Sequence, residues 1–163
     1  MHPLSRSVST VCLAVLFASS FGCGTSAPAP AKKAAVDTGH DHGHAAPHGG
    51  TVADWGGGAF HVEFKVDHAK KEATVYVLGS DGKTAAPVKT TQLRLILLDP
   101  ATEIELVAKP LDGEAEGSSS RFVGTHDNLG IVKEFAGTIS GEVAGTPYVG
   151  EFKEVAGDHG HAH

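Results

Sequence analysis

Between Phe60 and Asp67 apolar and polar residues exchange places at every step, with Phe60, Val62, Phe64 and Val66 set against His61, Glu63, Lys65 and Asp67. A side-chain period of two belongs to a strand that lays one face on a core, because successive Cβ atoms leave a strand on opposite sides. The same period returns where Leu93, Leu95 and Leu97 alternate with Gln92, Arg94 and Ile96, and where Ile104, Leu106 and Ala108 alternate with Glu103, Glu105 and Val107. Ala73–Leu78, rich in Val and Tyr, adds a strand, and Asp67–Glu72 before it reads as a turn. Ser80-Asp81-Gly82-Lys83 carries turn chemistry, and Gly82-Lys83-Thr84 reads as a hairpin turn. Further strands are predicted at Arg121–Thr125, Phe135–Val143 and Pro147–Lys153, the last two joined as a hairpin through Ala144-Gly145. No window keeps a helical period, and Ala101–Leu106, the one possible helical turn, alternates better as a strand. About seven or eight short strands with Gly-rich turns predict an all-β domain, an antiparallel immunoglobulin-like sandwich.

The two ends of the chain are of a different kind. Arg6 followed by the apolar stretch Val8–Phe21 has the form of a signal peptide, too short for a membrane span of roughly 20 apolar residues. Ser20-Phe21-Gly22-Cys23 resembles the bacterial lipobox, in which the cysteine is acylated and becomes the new N-terminus; Phe21 departs from the usual pattern. The predicted organisation is therefore a signal peptide over 1–22, then a lipidated Cys23 with a His-rich tether through 46. A β domain over 47–156 and a His-rich tail over 157–163 complete it. The tether and tail are rich in Ala, Gly, His and Pro, and such composition cannot bury enough apolar surface to offset the entropy of ordering. The only cysteines are Cys12 and Cys23, so the domain has neither a disulfide nor a thiolate ligand. A net charge of −6 argues against nucleic acid as a partner. No G-x-S-x-G, H-E-x-x-H or G-x-G-x-x-G motif is present, and the expectation is that the protein is not an enzyme.

Histidine is the compositional outlier, with 11 in the chain. His2 falls in the leader. His40, His42, His44 and His48 precede the domain, His159, His161 and His163 close the chain, and His61, His68 and His126 lie between. Neutral imidazole is the commonest metal ligand, and short His-rich tracts are a compositional sign of metal binding. The bland alternative is that these tracts only keep the ends soluble. Inside the domain, His61 and Glu63 stand on one strand face, roughly 6.5–7 Å apart along the backbone, and can converge on one ion. If the turn at Trp55–Gly58 folds the His48 segment back on this strand, His48, His61 and Glu63 form a three-ligand site with an open fourth position. The alternation equally describes a solvated polar face, and that alternative stays open at this point. His126, beside Asp127, is a fourth candidate ligand or else a loop contact, and His68 reads as solvated. With no thiolate and no methionine beyond Met1, zinc, copper(II) or nickel fit better than copper(I).

His48-Gly49-Gly50, Phe60-His61-Val62-Glu63, Val75-Tyr76-Val77-Leu78 and Ser120-Arg121-Phe122 together resemble a family of small bacterial lipoproteins of unassigned function. The family carries an HGG…(Y/F)HxE motif, and is similar to a segment of periplasmic adaptor subunits of heavy-metal efflux pumps. Phe60 stands where tyrosine is frequent. The resemblance implies a β domain outside the cytoplasm linked to metal handling, with metal-efflux or other envelope proteins as possible partners.

Taken together, the sequence predicts an extracytoplasmic protein of the cell envelope, held at a membrane by lipid on Cys23 and binding or buffering divalent transition metal. The alternative is a structural or protein-interaction module of the envelope without specific metal binding. Cys23→Ala should abolish lipidation. Fractionation of cells should then find the protein released from membranes or uncleaved, whereas normal cleavage with unchanged membrane retention would refute the anchor.

Overall fold

A computed structural model describes residues 46–155. The signal segment, Cys23, the tether histidines His40, His42 and His44, and the tail histidines His159, His161 and His163 lie outside the described residues. The expected antiparallel all-β sandwich is what forms. Its strands are β1 (Thr51–Trp55), β2 (Phe60–Asp67), β3 (Glu72–Leu78), β4 (Gln92–Leu98), β5 (Ala101–Ala108), β6 (Arg121–Thr125), β7 (Ala136–Val143) and β8 (Thr146–Lys153). Its two layers are the halves of one sheet, in the order β1-β2-β3-β6-β5-β4-β7-β8. The halves are joined where β5 meets β6 through only two residue pairs, Val107 with Val123 and Ala108 with Phe122. There the sheet bends back over itself.

The period of two explains the core. Val62 and Phe64 of β2, Val75 and Val77 of β3, Leu93, Leu95 and Leu97 of β4, and Ile104 and Leu106 of β5 are all buried in one apolar cluster. The alternate residues of β4 and β5 are exposed, and Ile96 faces out as its position in the alternation requires. Across the two layers Phe64 stacks on Phe152 with ring centroids 4.3 Å apart, and the Trp55 indole N–H donates to the Ile139 carbonyl at 3.0 Å. An indole buried this deeply needs such a partner, since a lone buried donor costs about 1–3 kcal/mol.

The edges of the sheet nearly meet. A Cβ on Gly150 of β8 would stand 2.5 Å from the Asp54 carbonyl oxygen of β1, so the two edge strands press together without laddering. That closure leaves little of either edge open to pairing with another chain.

The segment after β3 departs from the sequence reading. Gly82-Lys83-Thr84 does reverse the chain, held by the Asp81 carboxylate, which accepts from the backbone N–H of Lys83 and Thr84 at 2.9 Å each and from the Thr84 hydroxyl. These bonds favour the ionised form and lower the Asp81 pKa to about 2. The turn does not, however, open a hairpin into β4. Beyond a single bridge between Leu78 and Ala85 the chain leaves β3, and β4 pairs instead with β5 and β7. Residues 79–86 thus remain near the outer side of β3, where Gly79 accepts from the His61 ring.

Candidate functional site

The outer face of β2 was the one place where a polar pair on a strand had two readings, solvated or bound. It is neither exposed nor solvated: Glu63 is 0% and His61 5% exposed. Over His61–Glu63, β2 is buried on both sides, by the core on one and by irregular segments on the other, while Lys65 farther along the same face is exposed.

Antiparallel pairing sets what meets Glu63. β1 pairs Val52 with Glu63, and β3 places Tyr76 opposite it, so the Tyr76 ring rises from the same face. The chain before β1 then folds over this spot. His48 N–H and Gly50 N–H both donate to Glu63 Oε1, at 2.9 and 2.8 Å, and His48 Nδ1 lies 2.7 Å from Oε2. A carboxylate only accepts, so His48 Nδ1 is the donor of that last bond. The imidazole lies flat on Tyr76, centroids 3.7 Å apart and planes 7° apart. Lys65 Nζ donates to the His48 carbonyl at 3.0 Å.

The two glycines of His48-Gly49-Gly50 follow from this geometry. Gly49 takes φ +73°, a backbone state that side chains resist. A Cβ on Gly50 would fall 2.2 Å from the Phe64 carbonyl oxygen, so only glycine lets its amide approach Glu63. The triplet is a clamp that fastens the start of the domain onto the buried carboxylate.

The structure brings His48 and Glu63 together and leaves His61 out of their contact. His61 Nδ1 donates to the Gly79 carbonyl at 3.1 Å, and its neighbours across the strands are Asp54 and Leu78. His126 lies elsewhere, exposed beyond β6, where its Nδ1 accepts from Asn128 N–H at 3.1 Å and caps the 3-10 turn Asp127–Gly130. His68 is not simply solvated: half-buried, it donates from Nδ1 to the Leu129 carbonyl at 2.8 Å. Among the described residues no three His, Cys, Asp or Glu side chains are grouped to hold a metal ion. A groove of about 490 Å³ lies on the outer face of β4, β5, β7 and β8, between Arg94, Glu103, Glu105 and Tyr148, and shares no residue with the clamp. Most of its polar lining is an exposed charged strand face, with Arg94 paired to Glu103 at 3.2 Å.

What the clamp can do chemically depends on the second imidazole nitrogen. With Nδ1 engaged by Glu63, the neutral ring is held as the Nδ1–H tautomer and in one orientation, while its side chain remains 34% exposed. Nε2 is then the nitrogen left to act as a lone-pair donor. Tyr76 and Lys65 are the members of this site that the sequence reading did not single out. The signal for Tyr76 was present, since a turn over Asp67–Glu72 fixes the β2–β3 register and sets Tyr76 opposite Glu63.

Comparison of the chain with protein-family models, with curated proteins and with solved structures finds no match.

Glu63→Gln keeps an acceptor for the two backbone amides but turns an N–H or a weaker acceptor toward His48. Urea denaturation should show a loss of about 1–3 kcal/mol, the range for a buried hydrogen-bonding group left unpaired. A change within about 0.5 kcal/mol, as at ordinary surface positions, would show that the clamp contributes nothing.

Proposed function

We propose that the chain is a lipid-anchored, extracytoplasmic protein of the cell envelope that binds or buffers divalent transition-metal ions, zinc, copper(II) or nickel. One observation carries the reading: His48 gives its Nδ1–H to a buried carboxylate while its side chain stays partly exposed. Metal-ligating histidines nearly always donate their other ring N–H in this way, which fixes the tautomer and raises the basicity of the ligating nitrogen. Glu63 is then a positioning residue and not a ligand, and His61 serves the packing of the strand.

A single fixed imidazole does not hold an ion. The remaining donors come from the tracts, His40, His42 and His44 immediately before it in sequence, with Asp41 among them, and His159, His161 and His163 at the other end. The absence of thiolate and thioether side chains from the mature chain suits borderline divalent ions. The resemblance to adaptor segments of heavy-metal efflux pumps agrees with this assignment. The signal segment and Cys23 support the location and the lipid anchor.

A second reading, an envelope interaction module, is favoured by one observation. Leu98, Ile131, Val132 and Val155 are exposed at 66, 46, 83 and 59%. They lie near one end of the sandwich, where Lys133 pairs with Asp99 across the loops.

Calorimetric titration of the mature chain with zinc and copper(II) separates the two readings. His48→Gln retains an amide donor toward Glu63 but no imidazole. It should weaken the tightest site by at least the roughly tenfold that losing even an outer-shell partner costs, while His126→Ala leaves it unchanged. Equal affinity for wild type and His48→Gln would remove His48 from the site, and no binding by either would leave the interaction module.

A further inference from the structure

We infer that the end of the sandwich at which the chain enters is a membrane-contact face, where Ile131 and Val132, flanked by Leu98, enter the interfacial layer of a bilayer. The inference rests on the lipid-anchor part of the reading above and is independent of metal binding. It gives to lipid the exposed patch that the second reading gives to a partner protein.

Every pairing in the sheet is antiparallel, so strand direction alternates along its order. The start of β1 therefore lies at the same end as the β2–β3 turn, the β4–β5 turn, the segment between β6 and β7, and the finish of β8. Hydrogen bonds knit these pieces into one cap. His126 N–H donates to the Lys71 carbonyl at 3.1 Å, and His68 Nδ1 donates to the Leu129 carbonyl at 2.8 Å. Asn128 Nδ2 donates to Thr102 Oγ1 at 2.7 Å, and Phe135 N–H donates to Glu154 Oε2 at 2.7 Å. Lys133 pairs with Asp99 across the β4–β5 turn.

The apolar tip of this cap is held outward. Leu129 and Phe135 are buried in the core, whereas Ile131 and Val132 between them are 46 and 83% exposed. With the loop pinned at both sides, the tip has no route into the core. Leu98, 66% exposed, stands beside it, because Asp99 next to Leu98 is paired with Lys133 next to Val132. The opposite end is different. Among the described residues, its connections at 56–59, 79–91, 109–120 and 144–145 carry no exposed large hydrophobic side chain.

Size, charge and connectivity favour a bilayer as the occupant. Aliphatic side chains exposed to this degree make a patch on the order of a few hundred Å², whereas a stable protein interface takes about 800 Å² from each partner. A lipid surface does not require that area, since a domain already anchored to it meets it at high effective concentration. The aspartates of this end, Asp67, Asp99 and Asp127, are paired with Lys70, Lys133 and Lys71. Pairing lowers their repulsion from anionic headgroups. The chain reaches β1 through residues 46–50 at this same end, so a lipid on Cys23, upstream in the sequence, draws this end toward the membrane.

The test uses the lipidated mature chain in vesicles of phosphatidylethanolamine and phosphatidylglycerol. An environment-sensitive fluorophore is placed on Val132→Cys, on Leu98→Cys or, at the opposite end, on Lys83→Cys. All three positions are exposed, so labelling leaves the packing intact, and the Lys83 probe controls for the affinity of the label itself. With nitroxide-bearing lipid in the vesicles, emission at 132 and 98 should shift to the blue and be largely quenched, while emission at 83 stays that of a probe in water. Val132→Asp should return the probe at 98 to water. Quenching that is equal at all three positions, or absent at 132, would overturn the contact face. A probe at 132 shielded in native envelopes but not in pure lipid would overturn it in favour of a protein partner. Mass spectrometry reads the anchor separately. An acylated Cys23 with 132 in water sinks the contact face alone, whereas a Cys23 without acyl chains overturns the anchor reading and the contact face with it.

Discussion

A carboxylate with no exposed surface has to be satisfied wholly from within, and in this domain that requirement falls on Glu63. Two backbone N–H groups and one imidazole N–H meet its two oxygens. Taking one partner away would strand a polar group in a place water does not reach, at a cost of about 1–3 kcal/mol. The segment from Ala46 to Gly50 is consequently part of the fold although it has no regular structure. It covers the outer face of β2, fixes where β1 begins, and orients His48 over Tyr76. The entry of the chain into the sandwich depends on this carboxylate.

Core residues such as Leu95, Phe64 and Trp55 hold the layers together and carry no chemistry. Among the described residues no buried side-chain polar atom lacks a partner, so the interior has no polar atom left over for a ligand. Histidines inside the domain are spent locally, His61 on Gly79, His68 on Leu129 and His126 on Asn128. His48 differs in that the partner of its inner nitrogen is a carboxylate, the kind of partner that prepares the other nitrogen for a cation. It sits where the scaffold meets the histidine tract.

Much of the strand pattern was legible because a strand with one face on a core writes its period into the sequence. β2, β4, β5 and β6 fall close to where Phe60–Val66, Leu93–Leu97, Glu103–Ala108 and Arg121–Thr125 placed them. The approach of His48 to Glu63 was legible too, through the turn at Trp55–Gly58 and the two glycines. What the period could not reveal was that the polar face of β2 is covered. The covering pieces, residues 46–50 and 79–86, are irregular and have no periodicity, and their contacts are single hydrogen bonds such as Gly50 to Glu63 and His61 to Gly79. For the same reason the alternation alone did not reveal that Glu63 accepts from His48 and Gly50, or that His61 bonds to Gly79. The layer arrangement was hidden as well, since the turn at Asp81–Thr84 looks like a hairpin and the chain instead crosses to the other half of the sheet.

We propose that Glu63 holds His48 in the tautomer protonated at Nδ1 and leaves Nε2 to bind metal. Long-range proton–nitrogen correlation spectra of the 15N-labelled mature chain report both nitrogens of that ring directly, before and after addition of zinc. The account predicts an Nδ1 with a proton attached, retained throughout, and a zinc-dependent shift confined to Nε2. A ring protonated at Nε2 in the metal-free chain, or zinc that shifts other histidines and leaves the His48 nitrogens unmoved, would contradict it.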